Sequence, residues 1–318
     1  MSRRKLAAQK DKLDIVLRQQ DGETVYALAR QTGYPVNEIR RWVRLYREKG
    51  EAGLKERRGS TVLLSVLLVV FAMIFAVAAV KLRQVRQERA AGDAAYAGLA
   101  ESLVTVELPQ TTEVPVTVVE REEDAVGAEA PSVIVDLDGL QAISPQGVGW
   151  IMSDDRTINY PVMQGTDNDY YLDHLADGTV NRNGSIFMDF RNAADLSDRN
   201  TLIYGHNMRN GAMFASLSLY STPGYREAHP ELLLIVPEGS FSLQVFAGCV
   251  APGDSDLYQL SYRDDAGFTA YIEKVRLLSD FSSDVQICAQ DKIVTLSTCS
   301  YDYDDARYLL FCKLVPMR

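Results

Sequence analysis

Residues 61–80 (TVLLSVLLVVFAMIFAVAAV) contain no charged side chain, and this apolar run constrains the 318-residue chain more than any other feature. As an α-helix the run would be about 30 Å long, which is the thickness of the hydrocarbon core of a bilayer. A cleaved signal peptide has a shorter apolar core near the start of the chain, whereas this run follows a basic segment with helical patterning. We therefore expect one uncleaved transmembrane helix over residues 61–80. A buried core helix is the alternative.

The apolar run separates two parts of opposite charge. Residues 1–58 contain 15 Lys and Arg against eight Asp and Glu, whereas residues 90–318 contain 14 against 34. Basic residues flank both ends of the run, so the flanks alone do not orient it, but the basic N-terminal segment as a whole favours the cytoplasmic side. We expect a single-pass protein of the cell membrane with a cytoplasmic N-terminus and an extracytoplasmic acidic part.

Residues 1–58 have the apolar spacing of three short helices, over residues 9–20, 24–31 and 36–49. Gly33 and Pro35 interrupt the pattern between the second and third helices. The predicted core consists of Ala27, Leu28, Ile39 and Trp42, and the open face of the last helix carries Arg40, Arg41, Arg44 and Arg47.

The stretch LARQTGYPVNEIRRWVRLYREKGEAGLKERR resembles the helix-turn-helix of transposases and related bacterial regulators. The resemblance implies a basic helix that can enter the major groove of DNA. Two alternatives remain open: a module that contacts a protein partner, or one that contacts the anionic inner leaflet of the membrane. Nucleic acid is therefore a possible partner of residues 1–58.

Residues 81–131 are expected to connect the membrane helix to the outer domain. The first part is charged and Ala-rich, which predicts a helix that continues the membrane span. The second part (VELPQTTEVPVTVVEREEDAVGAEAPS) is rich in Pro, Thr and Glu without a sustained period, and this composition is typical of an extended spacer.

Residues 132–318 contain many short apolar runs separated by turn residues. One helical pattern, FTAYIEKVRLLS, interrupts them. Eight strands with few helices favour a closed β-barrel over an α/β sheet, so we predict a mainly β fold. The predicted strands are GWIMS, INYPVMQ, GSIFMDF, NTLIYGH, ELLLIVP, FSLQVFAGCVAP, KIVTLSTC and YLLFCKLVP.

The four cysteines all lie in this outer part, where they could form two disulfides, but they are too few for a disulfide-stapled fold. Cys249 and Cys312 lie in apolar runs, where a buried, inert thiol is favoured. Cys299 differs because it ends a strand whose alternating face carries Thr295 and Ser297.

A catalytic cysteine needs a base or a positive neighbour, because a free thiol is mostly protonated at neutral pH. His206 follows an apolar run and Gly205, and Arg307 lies eight positions after Cys299, so a hairpin could return it to the same end of the sheet. These three residues could supply a nucleophile, a proton shuttle and a donor to an oxyanion. A packed, inert Cys299 is the alternative.

The motifs INYPVMQGTDNDYYLDH, GSIFMDFRN, YGHNM and TLSTC occur in this order along residues 133–315, and an Arg lies on the strand that follows TLSTC. Together they resemble the class B sortases of Gram-positive bacteria. The resemblance implies an eight-stranded sortase barrel and a cysteine transpeptidase that cleaves an LPXTG- or NPXTN-like sorting signal after Thr. By position, Cys299 would be the nucleophile, His206 the general acid and base, and Arg307 the oxyanion-side arginine. The implied substrate contacts are Asn168, Leu172, Tyr204 and Ser297.

The resemblance implies secreted proteins with a C-terminal sorting signal as one partner, and an amine of peptidoglycan or of a pilin as the other. The chain contains no GxGxxG motif, no P-loop and no cluster with metal-ligand spacing, so we expect neither a cofactor nor a metal. Two other functions remain open: a membrane-bound regulator whose barrel is a sensor, and a cysteine hydrolase that uses water as the acceptor.

Overall fold

Three helices form the N-terminal part of the computed structural model, which describes residues 8–55, 59–107, 132–300, 302 and 304–317. They are α1 (Gln9–Gln20), α2 (Val25–Thr32) and α3 (Val36–Lys49), and a 3-10 turn (Gly50–Leu54) follows. The side chain of Thr24 caps the start of α2, and Gly33, with φ of 75°, ends it in the left-handed conformation. The prediction of a helix-turn-helix is confirmed.

The core of these helices is larger than predicted. Leu28, Ile39 and Trp42 are buried as expected, whereas Ala27 is only partly buried. α1 and the 3-10 turn complete the core with Ile15, Val16 and Leu54.

One long helix, α4 (Gly59–Leu103), contains the apolar run. Within the described residues it is the one helix long and apolar enough to cross a membrane. Side chains from position 65 to position 80 are all exposed, which argues against a buried core helix. The chain divides into two compact units between Lys81 and Leu82.

Eight strands of the second unit close into a barrel, in the order β10-β8-β7-β3-β4-β5-β6-β9. The pairs β4–β5 and β6–β9 are parallel, and the other pairs are antiparallel. This arrangement confirms the predicted eight-stranded barrel. The strands are β3 (Gly147–Ser153), β4 (Asn159–Met163), β5 (Ile186–Met188), β6 (Asn200–Tyr204), β7 (Glu231–Val236), β8 (Gly239–Pro252), β9 (Ile293–Cys299) and β10 (Ala306–Pro316).

Strands β9 and β10 alternate between two cores. Val294 and Leu310 point into the barrel, whereas Leu309 and Phe311 point outward and pack under α7 (Asp265–Leu278). Because side chains alternate along a strand, Cys299 lies on the outward face of β9. The Cys299 side chain therefore lies outside the barrel interior.

The second unit begins 50 residues before position 132, where we expected the catalytic domain to start. The end of α4 packs on the barrel through Tyr96 and Leu103, and β1 (Val104–Glu107) pairs with β2 (Ser132–Val135). The expected connection over residues 81–131 is thus part of the folded unit up to Glu107, and residues 108–131 lie outside the described residues. Two short helices complete the unit, α5 (Leu137–Ile143) and α6 (Tyr225–Ala228).

Candidate active site

Cys299 and Arg307 lie opposite each other on neighbouring antiparallel strands. The register of β9 and β10 pairs the two residues directly, and the hairpin between the strands spans residues 300–305. Because Leu309 and Phe311 point outward on β10, Arg307 points outward as well, to the same side as Cys299. Cys299 is partly buried and forms no disulfide.

His206 reaches Cys299 because β6 runs parallel to β9. Tyr204 is paired with Ser297, and the backbone N–H of Gly205 donates to the Ser297 carbonyl at 3.0 Å. A side chain at position 205 would clash, since a Cβ there would lie 2.7 Å from Cδ2 of Phe214. The side chain of Asn207 in turn donates to the Cys299 carbonyl at 2.8 Å. These contacts hold the histidine loop against the end of the cysteine strand.

His206 and Cys299 both line the cleft, and each shifts the pKa of the other. A side-chain hydrogen bond with Cys299 raises the pKa of His206, against the opposing effect of burial, and the Leu172 carbonyl raises it further. The same bond lowers the pKa of Cys299, again against burial, and the charge of Arg307 lowers it further. Both shifts favour a thiolate next to an imidazolium, which is the reactive form of a cysteine nucleophile.

The backbone carbonyl of Leu172 orients the imidazole ring. Nε2 of His206 lies 2.6 Å from this oxygen. A carbonyl oxygen only accepts, so Nε2 carries a proton and Nδ1 is the ring nitrogen left to exchange a proton with Cys299. The ring orientation therefore depends on the position of Leu172, which ends a 3-10 turn (Tyr170–Leu172).

An ion pair holds the guanidinium of Arg307. Its Nη2 lies 2.8 Å from Oδ1 of Asp305, and its Nη1 donates to the Ala306 carbonyl at 3.1 Å. Asp305 adopts a left-handed backbone with φ of 63°. Among the described residues, these contacts use two of the five N–H donors of Arg307, so the others can donate to an oxygen near Cys299.

The three residues lie at a cleft with a volume of about 450 Å³. All four predicted substrate contacts line this cleft. Ser297 is held by a 2.8 Å hydrogen bond to the hydroxyl of Tyr258, a residue that the sequence analysis did not single out. The lining residues include Asn168, Leu172, Phe187, Arg191, Tyr204, Gly205, His206, Tyr258, Ser297, Cys299 and Arg307.

A buried carboxylate under the cleft wall was missed by the sequence analysis. The side chain of Asp189 is fully buried and accepts hydrogen bonds from Asn168 at 3.0 Å and from Tyr204 at 2.9 Å. Arg191 donates to it from Nε and Nη2, at 2.9 and 2.8 Å. Burial opposes ionisation, but the hydrogen bonds from Arg191, Tyr204 and Asn168 outweigh it and lower the pKa of Asp189 to about 2.

The other cysteines have no part in the cleft. Cys249 and Cys312 are buried, and burial raises the pKa of the Cys249 thiol to about 11. Cys288 is exposed. In the described part of the chain, one group of side chains could hold a metal ion, and it lies on the surface at Asp154, Asp155 and His229.

Comparison with known proteins identifies the family. The sortase domain family matches residues 153–315, which is half of the chain. A sortase B of Listeria monocytogenes is 37% identical over 182 residues, covering 57% of this chain and 74% of the relative. A sortase B of Staphylococcus aureus is 31% identical over 182 residues, covering 57% of this chain and 75% of the relative.

The chain belongs to the class B sortases. Sortases of this class are cysteine transpeptidases, so the cleft at Cys299 lies on an enzyme of that kind. The eight-stranded barrel and the order of the motifs agree with this identity.

Solved structures agree with the same family. A Bacillus anthracis protein described as similar to sortase B superposes with a TM-score of 0.58 at 32% identity, covering 71% of this sortase and 96% of that chain. The Staphylococcus aureus sortase B–substrate complex superposes with a TM-score of 0.55 at 30% identity, covering 57% of this sortase and 85% of that chain. The helix-turn-helix domain family matches residues 11–60 of the sortase.

Proposed function

We propose that Cys299, His206 and Arg307 carry out the transpeptidation. The observation that supports this assignment is their arrangement at one cleft, which all three residues line and where Arg307 lies opposite Cys299 in register. A proton acceptor, a thiol and a fixed cation at one point are the parts that acyl transfer requires. An inert, packed thiol would have its pKa raised by burial, as Cys249 has, whereas the pKa of Cys299 is lowered.

The reaction begins when the Cys299 thiolate attacks a peptide carbonyl carbon. A C–S bond forms, and the carbonyl electrons move to an oxyanion that accepts hydrogen bonds from Arg307. The tetrahedral adduct collapses, the peptide C–N bond breaks, and His206 gives its proton to the leaving amine. The product of this half-reaction is a thioacyl enzyme.

The second half-reaction reverses these roles. An incoming amine attacks the thioacyl carbon, His206 accepts a proton from the nitrogen, and Arg307 again stabilises the oxyanion. A new amide bond forms and the Cys299 thiolate leaves. Because thiolate and imidazolium are restored together, the enzyme needs no cofactor for the cycle.

The proposed donor is a sorting signal of the LPXTG or NPXTN kind, cleaved after Thr. A Staphylococcus aureus sortase B with 30% identity has been solved as a substrate complex, which supports substrate binding by this fold. The cleft presents the side chains of Asn168, Leu172 and Tyr204 beside the nucleophile. We propose an amine of peptidoglycan or of a pilin as the acceptor.

We propose that residues 61–80 anchor the enzyme in the cell membrane, with residues 1–58 cytoplasmic and the catalytic domain outside. Support comes from the length and the apolar composition of α4, whose side chains from 65 to 80 are all exposed. Protease treatment of intact cells tests this topology. An epitope at the C-terminus should be removed from outside, and an epitope at the N-terminus should be protected.

A peptide-cleavage assay tests the activity. The full-length protein in detergent micelles is mixed with quenched fluorescent peptides that carry LPXTG or NPXTN sequences. We expect cleavage by the parent and none by Cys299→Ala, with Cys288→Ala as the matched control that retains full activity. Cleavage by Cys299→Ala at the parental rate would refute the assignment.

The same assay separates transfer from hydrolysis. Added oligoglycine should divert the thioacyl enzyme into an amide product that mass spectrometry detects. If hydrolysis products dominate at every amine concentration, the cysteine hydrolase is the better description.

The helix-turn-helix domain supports a second candidate function, a membrane-bound regulator that binds nucleic acid. The specific observation is an exposed row of basic residues on α3, namely Arg40, Arg41, Arg44 and Arg47. Arg40 is held on the ring of Tyr26, with its guanidinium carbon 5.6 Å from the ring centroid and a 3.2 Å hydrogen bond to the hydroxyl. Ordered, exposed arginines on one helix face suit contacts to phosphates and base edges.

Binding of the full-length protein to labelled DNA tests this second function. We expect affinity that falls with rising salt, and a loss of binding when Arg40, Arg41 and Arg44 are changed together to Ala. If the triple variant binds DNA as the parent does, the arginine face of α3 does not contact DNA. A protein partner or the inner leaflet then becomes the better target for that face. This outcome would leave the transpeptidase unaffected.

A further inference from the structure

The end of α4 lies against the loop that precedes β5. Gly92 allows the close approach, because a Cβ at this position would lie 2.6 Å from Nδ2 of Asn183. Asn181 donates to the Glu88 carbonyl at 2.8 Å, and Asn183 donates to the side chain of Asp93 at 2.8 Å. These amides fix one turn of the helix against the loop.

Tyr96 makes the next contact along the same helix face. Its side chain is 3% exposed, and its ring packs edge-on against Tyr160 at 5.4 Å. The hydroxyl donates to the Gly184 carbonyl at 2.7 Å and shares a second hydrogen bond of 2.7 Å with Oγ of Ser185. A buried hydroxyl without a hydrogen-bond partner would destabilise the fold. The Tyr96 hydroxyl has two such partners.

Gly184 and Ser185 in turn contact the 3-10 turn at the cleft. The N–H of Ser185 donates to the Tyr171 carbonyl at 2.9 Å. Gly184 has φ of 58°, and a Cβ there would lie 2.7 Å from the carbonyl oxygen of Leu172. The Leu172 carbonyl therefore occupies the space that a side chain at position 184 would need, and it lies directly beside the Gly184 backbone.

The Leu172 carbonyl is the acceptor that holds Nε2 of His206, at 2.6 Å. A continuous set of contacts thus runs from Tyr96 through Gly184 and Ser185 to Leu172, and from there to the catalytic histidine. All of these residues belong to the second unit of the chain.

We propose that Tyr96 is a positioning residue for the transpeptidase, which holds the Leu172 carbonyl against His206 through Gly184 and Ser185. The inference rests on the proposed role of His206. Tyr96 touches neither the substrate nor the reacting atoms. Tyr96 acts on the orientation of the His206 imidazole, and on the hydrogen bond from Nε2 to the Leu172 carbonyl that favours the protonated imidazole.

The substitution Tyr96→Phe tests this role, because it removes the hydroxyl and keeps the ring. In full-length protein we expect kcat to fall about fivefold, the factor that corresponds to one ordinary hydrogen bond, with KM unchanged. The basic limb of the pH profile should also move to lower pH. The Leu172 carbonyl stabilises the imidazolium, so a weaker bond lowers the pKa at which His206 loses its proton.

Tyr96→Phe changes none of the other ionisable side chains around His206. Asp305 remains paired with Arg307 at 2.8 Å. The ionisable side chains that line the cleft with His206 are Asp169, Arg191, Tyr204, Tyr258, Cys299 and Arg307. A shift of the limb therefore reports on the Leu172 contact.

Tyr220→Phe is the matched control. Tyr220 is 4% exposed, packs edge-on against Tyr225 at 5.0 Å and donates to the His229 carbonyl at 2.9 Å, but it does not line the cleft. We expect the two variants to lose similar amounts of thermal stability, and only Tyr96→Phe to shift the pH profile. Ser185→Ala should give part of the same shift and should be non-additive with Tyr96→Phe.

The outcomes separate this inference from the proposed function. If the parent cleaves the peptide and the Tyr96→Phe profile overlays that of Tyr220→Phe, Tyr96 is merely structural and the inference is wrong. If Cys299→Ala is as active as the parent, or His206→Ala retains the parental rate and pH profile, the proposed active site is wrong and the inference falls with it.

Discussion

Arg307 faces Cys299 directly across the β9–β10 pair. The position of the guanidinium is thus set by strand register, which a hairpin with one residue more or fewer would change. Asp305, in the same hairpin, fixes the guanidinium through an ion pair of 2.8 Å. One end of the barrel thereby supplies both the proposed nucleophile and the cation that faces it.

The first prediction concerns the shape of that cation. Arg307→Lys keeps the charge but loses the planar set of donors, so an oxyanion near Cys299 receives fewer hydrogen bonds. We expect kcat to fall by about 10²-fold with a small change in KM, in steady-state peptide cleavage.

Arg199→Lys is the control for that substitution. Arg199 is 33% exposed and paired with Asp265, much as Arg307 is 31% exposed and paired with Asp305, but it lies outside the cleft. Equal losses of kcat in both variants would show that Arg307 acts through general stability.

The second prediction concerns pH. The thiol must be ionised and the imidazole protonated, so activity should fall at low pH with Cys299 and at high pH with His206. The pKa of Cys299 is lowered from 9.0 and that of His206 is raised from 6.5, chiefly by their mutual hydrogen bond. We expect an acidic limb below 9.0 and a basic limb above 6.5 in kcat/KM against pH.

Asp305→Asn should move the acidic limb. The negative charge of Asp305 raises the pKa of Cys299, and its loss also frees Arg307, so the thiol should ionise at lower pH. Asp284→Asn, at a carboxylate 96% exposed, is the control and should leave the limb in place. An acidic limb that moves upward in Asp305→Asn would contradict this interpretation.

The barrel could be predicted from the sequence because its strands alternate clearly. In β9, Val294 and Leu296 face one core while Ile293 faces another, and this period of two is visible in KIVTLSTC. The predicted bounds of the helices at residues 9–49 agree with the structure within one residue at each end. Thr24 and Gly33 mark the two ends of α2, and Gly50 marks the end of α3.

The docking of the end of α4 could not be predicted in the same way. The residues of α4 that contact the barrel have helical spacing: Gly92, Tyr96, Leu99 and Leu103. They are surrounded in the sequence by Ala and charged residues, a pattern that is typical of a solvent-exposed helix. A small residue such as Gly92 does not by itself predict that a helix packs closely there, because the partner surface must be known first. The compact unit that contains the barrel therefore begins at Leu82.

Asp189 was missed for a related reason. An acid that follows a short apolar run looks like an exposed turn, and its partners Asn168 and Tyr204 lie 21 and 15 residues away along the chain. Only the folded chain brings three donors to one buried carboxylate.

The third prediction tests that carboxylate. Asp189→Ala leaves Arg191, Asn168 and Tyr204 without their shared acceptor, so the cleft wall should lose its order. We expect KM for the peptide to rise severalfold with a smaller change in kcat, and Asp189→Asn to restore part of the loss because its amide oxygen still accepts. An unchanged KM in Asp189→Ala would show that this network does not shape the binding cleft. Asp198→Asn, outside the cleft lining, should leave KM at the parental value.

The fourth prediction concerns Gly205, the residue before His206. In Gly205→Ala the new Cβ would lie 2.7 Å from Phe214 Cδ2, inside a packed core that resists added volume. We expect the free energy of unfolding to fall by about 1–3 kcal/mol. We also expect kcat to fall, because the strain moves His206 away from Cys299.

Gly98→Ala is the control. A Cβ at this position on α4 meets nothing within 4 Å, so the substitution should leave kcat unchanged and raise the free energy of unfolding by about 0.4–1 kcal/mol. Thermal unfolding and peptide cleavage measure both quantities. If Gly205→Ala loses stability but keeps the parental kcat, the close packing at position 205 serves the fold and not the placement of the histidine.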